Sequence, residues 1–463
     1  RGLGDVYKRQ VDDVYGTWED IEHLGDRARL MVDAVVNHMS AQSGWFARWR
    51  DGDPEFADFF RTSSPDADLS SVVRARQHPL LTHFATARGD EWVWTTFSAD
   101  QVDLDFRNPV VLARILETLL DYASRGSAMI RLDAIGFLWK RESSPSIHLP
   151  ETHAVVQFLR ACLDETYPDV GLISETNVPH EENITYFGSD GVAEAQAVYQ
   201  FTLPPLVLHS YVSGNAETLR NWAATLAPPP PGTTFLNFLA SHDGVGLRPL
   251  EGILQTDEID ALAELARLHS GRVSWRRLPD GNSSPYEINA TWFDLVRGDC
   301  SGADALERHV GSHTIMLAMR GIPAIYVHSL FASRNDVSAV QATGAARAIN
   351  RHRFAPVTDL EQRLADPTSR PAQTLAALKS ALRLRCSSAA FHPDAVQRVL
   401  ETPAEVIGIE RGSSDGATAR VYVNVSATAV SVAETAPLAL GRRANARDDH
   451  VELGPWGSAW VIE

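Results

Sequence analysis

Arg131 and Asp133 lie two residues apart inside "AMIRLDAIGFLW" (128–139), a short apolar run that follows Gly126 and Ser127. The run has the length and composition of a buried strand, and on a strand such residues share a face. Burying an ion pair in an apolar wall is a poor route to stability, so the pair raises a question of chemistry. Other polar side chains stand in the same way at the ends of apolar runs. His38 closes "ARLMVDAVVN", Glu175 closes "VGLIS", and His242 and Asp243 close "TTFLNFLAS". Carboxylates and imidazoles in such places can attack an electrophile, exchange protons with a leaving group or hold hydroxyls. Each residue alone has a plainer reading, because a carboxylate at a strand end is often solvated or caps the next helix. The case rests on the set.

The elements that must position these residues alternate. Helical patterns in "TWEDIEHLGDRA", "PVVLARILETLLDYASRG" and "HAVVQFLRACLDETYPD" precede the apolar runs 28–38, 128–137 and 170–175. Further short apolar runs fall at 195–201, 233–243 and 322–329. Helices alternating with apolar strands imply parallel βαβ units. The polar residues then stand at C-terminal strand ends, where a (β/α)₈ barrel keeps its active site. Six candidate strands predict a TIM barrel whose first two βα units are missing from this chain.

Residues 39–107, aromatic and charged, predict a lobe inserted after strand 3, and 244–310 a second insertion after strand 7; such insertions build cleft walls. The barrel is expected over 11–387. From 388 to 463 short alternating runs predict a C-terminal antiparallel β domain. "RGLGDVYKRQ" (1–10) has no helical or strand period and is expected to be an artefactual segment.

Composition narrows the classes of function. A 44% hydrophobic, 22% charged chain of 463 residues suits a large globular core. A net charge of −17 argues against nucleic acid as a partner. Cys162, Cys300 and Cys386 lie far apart without CxxC spacing, so a reduced, cytoplasmic protein without thiolate metal sites is expected. No apolar run approaches a membrane span.

Four segments, "DAVVNH" (33–38), "RLDAIGF" (131–137), "SETN" (174–177) and "ASHD" (240–243), resemble in order the signature segments of the α-amylase superfamily, glycoside hydrolase family 13. The resemblance implies the same barrel, lobe and C-terminal domain, and a retaining mechanism with two carboxylates about 5–5.5 Å apart. By resemblance Asp133 is the nucleophile, Glu175 the acid/base and Asp243 the residue that steadies the sugar hydroxyls. Arg131 would hold Asp133 ionised and correctly turned. His38 and His242 would hydrogen-bond the reacting glucose, while Asp33 and Asn37 read as structural hydrogen-bonders. The aromatic run at 45–60 reads as lobe packing, and "RVSWRR" (272–277) as a solvated basic patch.

"NHMSAQSGWF" (37–46), "SHDGVGLRP" (241–249) and "ARAINRHRF" (346–354) resemble the sucrose-phosphorylase-like subfamily. By that match Arg351 binds the same glucose opposite a carboxylate lying in the missing part. "ETNVPHEENITYFG" (175–188) and "YVHSLFASRNDVSAVQATG" (326–344) resemble the branch acting on glucosylglycerate or glucosylglycerol. Arg334 is the candidate for a glycerate carboxylate or for phosphate.

The resemblance thus implies a retaining glycoside phosphorylase that transfers glucose from 2-O-α-glucosylglycerate to phosphate. Sucrose is the runner-up substrate. A hydrolase or transglucosidase and an inactive sugar-binding fragment are the competing readings. No metal or organic cofactor is expected, phosphate being a co-substrate, and the expected state is monomer or homodimer.

Overall fold

The computed structural model describes residues 11–12, 16–189, 191–278 and 282–463. The segment 1–10 lies outside the described residues. The chain forms two compact units. Unit 1 comprises most of the chain up to Thr176, with Glu181–Tyr199 and Trp275–Ser284; unit 2 holds the rest.

In unit 1 four parallel strands lie side by side in chain order, β1 (Leu30–Val35), β2 (Ser127–Asp133), β3 (Gly171–Ser174) and β4 (Ala197–Tyr199). Helix α1 (Pro109–Ser124) leads into β2. Asn108 caps it by accepting from the Val110 N–H, and Pro109 occupies the first turn, where its missing N–H costs nothing. Its buried stripe, Val111, Ile115, Leu119 and Tyr122, follows the helical repeat. Gly126, at φ +86°, then turns the chain into β2, a backbone conformation other residues rarely adopt. Helix α2 (Pro150–Thr166) makes the crossover from β2 to β3.

The expected lobe is built of short elements. His38–Ser40 pairs with Gln101–Asp103, and Leu81–Thr86 pairs with Gly89–Trp94, both antiparallel. Its aromatic run is core: Phe46, Trp49, Phe59 and Phe60 are buried, with Phe46 stacked on Trp49 at 5.0 Å.

In unit 2, β5 (Thr234–Phe238) pairs in parallel with β6 (Ile322–Ala324). The apolar run at 322–329 yields only three strand residues, since Val327–Leu330 is a helical turn. Helix α3 (Leu203–Ser213) precedes β5, α4 (Gly302–Ala318) precedes β6 and α5 (Arg370–Cys386) follows it. Helix α4 begins inside the stretch expected as an insertion, and every residue from Ala305 to Ala318 is buried. The antiparallel C-terminal sheet runs from Val396 to Ile462, with the long strand His450–Ile462 pairing three neighbours. Among the described residues no helix is long and apolar enough to cross a membrane.

Candidate active site

Two groups of candidate residues form, each within one unit. In unit 1 the parallel register sets Asp33 of β1 beside Arg131 and Val35 beside Asp133. On the other side Leu132 lies beside Ser174, so Glu175 follows one residue past the end of β3. Arg131 is buried, its side chain 7% exposed. Its Nη1 donates to Asp33 Oδ1 at 2.6 Å and to Asp133 Oδ1 at 2.7 Å, and its Nη2 lies 3.6 Å from Glu175 Oε1. Burial pushes the guanidinium down, but Asp133, Glu175 and Asp33 outweigh it and hold it well above its ordinary value. One cation therefore serves three carboxylates brought by three adjacent strands.

Backbone geometry completes this group. Ala134 adopts the left-handed conformation, φ 53° and ψ 34°, unusual for a residue with a side chain. Its N–H donates to Glu175 Oε2 at 3.1 Å, fixing the carboxylate that Arg131 approaches from the other oxygen. Tyr199, at the end of β4, lies with its ring 5.6 Å from the Arg131 guanidinium. Burial, against the pull of Arg131, pushes its phenol up to about 12. Sequence reasoning missed Tyr199, which stood unremarked in the run "AQAVYQF".

His38 is buried one turn of chain beyond β1, its Nε2 2.8 Å from the Gln101 side-chain nitrogen and its ring 5.4 Å from Phe97. Asn37 belongs to a buried polar network beneath it. Lys140 Nζ donates to Asn37 Oδ1 at 2.7 Å and lies 3.5 Å from Asp103, which also accepts from Thr96. Burial pushes the Lys140 ammonium down and Asp103 opposes it. Asn37 is thus a structural hydrogen-bonder. Asp33, expected in the same role, accepts from Arg131.

In unit 2, Asp243 follows β5 and meets two arginines, Arg347 Nη1 at 2.6 Å and Arg351 Nη2 at 3.2 Å. Arg351 Nε donates to the His242 carbonyl at 2.6 Å, and the Asn350 amide donates to the Asp243 carbonyl at 2.6 Å. His242 is half-exposed, its Nε2 3.6 Å from Asp243 Oδ2. Arg351 was expected to depend on a carboxylate outside the chain. Within the chain, Asp243 is the carboxylate it meets.

Arg347 was missed, although it lies in the same quoted segment, four residues before Arg351. It forks onto Glu287, Nε to Oε1 at 3.0 Å and Nη2 to Oε2 at 2.7 Å. Burial lowers its guanidinium, but Asp243 and Glu287 prevail and raise it. The motif "HDGVG" explains how Glu287 arrives. Val245–Gly246 pairs antiparallel with Ile288 and Glu287. A Cβ on Gly244 would stand 2.2 Å from the Ile288 carbonyl oxygen, and one on Gly246 2.3 Å from Asn177 Oδ1. Only glycine permits both approaches.

Arg334, the candidate for a glycerate carboxylate or phosphate, meets an acid of the chain. Its Nε is 2.5 Å from Asp294 Oδ1, which also accepts from Arg297 Nε at 2.8 Å. Asp294 is buried and needs the counter-charge. The arginine expected to reach an acceptor carboxylate or phosphate thus shares one carboxylate with Arg297.

Comparison with known proteins gives this geometry a context. The α-amylase catalytic-domain family matches residues 6–243. The chain is 47% identical over 428 residues to a glucosylglycerate phosphorylase of Allomeiothermus silvanus, covering 92% of this chain and 76% of that one. It is 40% identical to a glucosylglycerate phosphorylase of Escherichia coli, covering 99% and 83%. A sucrose phosphorylase of Agrobacterium vitis is 32% identical, covering 74% and 70%. Among solved structures, sucrose 6F-phosphate phosphorylase from Thermoanaerobacter thermosaccharolyticum superimposes with a TM-score of 0.78 at 21% identity, covering 90% of this chain and 84% of that one. At that identity the likeness is one of fold.

Proposed function

The chain belongs to the α-amylase family, a (β/α)₈ barrel with a C-terminal antiparallel β domain, and from that premise we propose that it is a retaining phosphorylase of 2-O-α-glucosylglycerate. The observation that carries the chemistry is the grip of Arg131 on both Asp133 and Glu175. The preference for glycerate rests on relatives of that activity being more similar to this chain than the sucrose-active ones named above.

The reaction is a double displacement. Asp133 attacks C1 of the α-glucoside as Glu175 gives its proton to the departing glycerate oxygen, leaving a β-glucosyl-enzyme. Phosphate then attacks C1 from the face the glycerate left, breaking the ester bond to Asp133 as Glu175 takes its proton, and α-glucose 1-phosphate departs. Arg131 keeps the nucleophile aimed, and the Ala134 N–H keeps Glu175 turned toward the bond it protonates. Asp243, with His242 and Arg351, is assigned to the sugar hydroxyls, and His38 to the same glucose. Both steps balance with no electron carrier or metal.

The test runs the reaction in reverse. α-Glucose 1-phosphate is incubated with glycerate, glycerol and fructose separately, and phosphate release is followed. Glycerate should give the fastest release and a disaccharide product. Equal or faster release with fructose returns the assignment to sucrose phosphorylase. Release of free glucose in every arm makes the chain a hydrolase.

A further inference from the structure

Unit 2 contains a cavity of about 440 Å³ whose wall includes Arg297, Arg334, Arg370, Ser301 and Gly302. Asp243, His242 and Arg351 are not among its lining residues. Its charges do not cancel. Asp294 is the carboxylate for two of the arginines: one oxygen accepts from Arg297 Nε and pairs with Arg334 Nε, while the other accepts from the Asn335 N–H at 2.7 Å. Among the described residues Arg370 makes no salt bridge: its guanidinium lies 4.9 Å from the Phe293 ring centre, and its buried Nε has no acceptor. Burial and repulsion from Arg334, Arg363 and Arg297, with Asp294 opposing, push that guanidinium down, as expected of a cation short of an anion.

The backbone adds donors. Ser301 begins the 17-residue helix α4 without a side-chain cap bond, so the first N–H groups lack a side-chain acceptor. Asp304, the acidic residue of that first turn, is instead bound by Arg443 at 2.6 Å. Guanidinium forks and helix N–H groups together suit a doubly charged group with several acceptor oxygens. The segments involved follow β5 and β6, and the loops after the last barrel strands recurrently hold phosphate. A chain of net charge −17 needs such a local positive spot to hold an anion at all.

We propose that this cavity binds the phosphate group of a small molecule, either inorganic phosphate or a phosphate ester, at a site separate from the Asp243 cluster. Arg370 supplies the free fork, Arg297 and Arg334 the flanking charge, and α4 its N–H groups.

Isothermal titration of the full chain, without glucoside, with inorganic phosphate and with glycerol 3-phosphate tests this. At least one should bind wild type, and the tighter of the two identifies the source. Arg370→Gln should weaken it about tenfold, the worth of one charged hydrogen bond. Phosphorolysis at saturating phosphate should stay within about twofold. Arg370→Lys, which keeps the charge and loses the fork, should fall between, and it serves alone should the glutamine variant not fold. Unchanged binding in both variants, or no binding by wild type, overturns the proposal. Loss of binding with a matching rise in KM for phosphate overturns the separateness of the site. Because binding is read without turnover, a chain inactive on every glucosyl acceptor would still give an answer.

Discussion

At Arg131 three carboxylates share one guanidinium, and the two changes that separate their roles act differently. Asp133→Asn keeps the shape and one acceptor but removes the nucleophile. Phosphorolysis should fall on the order of 10⁴-fold or more, with unfolding free energy within about 1 kcal/mol of wild type. A variant keeping a tenth of its turnover would move the nucleophile elsewhere. Arg131→Met instead leaves Asp33, Asp133 and Glu175 without their cation. It should cost ~3 kcal/mol in urea unfolding, the lower end for losing one partner of a buried pair, because Asp33 is exposed. Most of this residue scale was legible beforehand, since strand parity alone put Arg131 and Asp133 on one face. Pairings across the chain were not. Glu287 lies sixty residues before Arg347, and Asp294 forty before Arg334. One sequence gives no signal for which of many acids an arginine will find.

At the scale of elements, helix α4 shows why some structure escapes a pattern search. A helix buried all round has no polar face, and its interior carries Glu307, Arg308, His309 and His313, which blur the apolar period. The parallel strands were legible because each is a short apolar run between turn signals; their ends were placed less well, as the three-residue β6 shows. The buried histidines of α4 carry a consequence for pH. Burial lowers His313 to about 4 and, aided by His313, lowers His309 well below its usual value. Both are neutral in the folded state, while the unfolded chain takes up protons near 6.5. Stability is therefore full above about 6.5 and lost as pH falls toward about 4, His313 alone accounting for about 3 kcal/mol. Urea unfolding between pH 7 and 5 should show the decline, and a His309→Gln, His313→Gln double variant should flatten it. A flat wild-type profile would contradict the burial of these rings.

At the scale of the whole molecule, the change of pattern at residue 388 marks a change of architecture without a break in the core of unit 2. Ile315 and Met316 of α4 share one apolar cluster with Ile407, Val421, Val423 and Trp460 of the C-terminal sheet. Arg442 forks onto Glu307 of the same helix at 2.6 and 2.8 Å. Ending the chain after Ser387 should strip that cluster and leave Glu307 unmatched. The shortened protein should be insoluble or unfolded by circular dichroism and without phosphorolysis; a soluble, active one would make the sheet an appendage.

The grip of Arg131 has a further meaning for anyone preparing this protein. Its partners come from three neighbouring strands, and sliding one strand by a single residue turns its side chains to the opposite face. A slipped β1 would carry Asp33 away from the guanidinium, and a slipped β2 would carry off Arg131 and Asp133 together. Misregistered molecules should therefore be silent and not altered in specificity. Activity per milligram then counts correctly paired sheets, and a poor preparation should show an unchanged KM with a lowered apparent kcat.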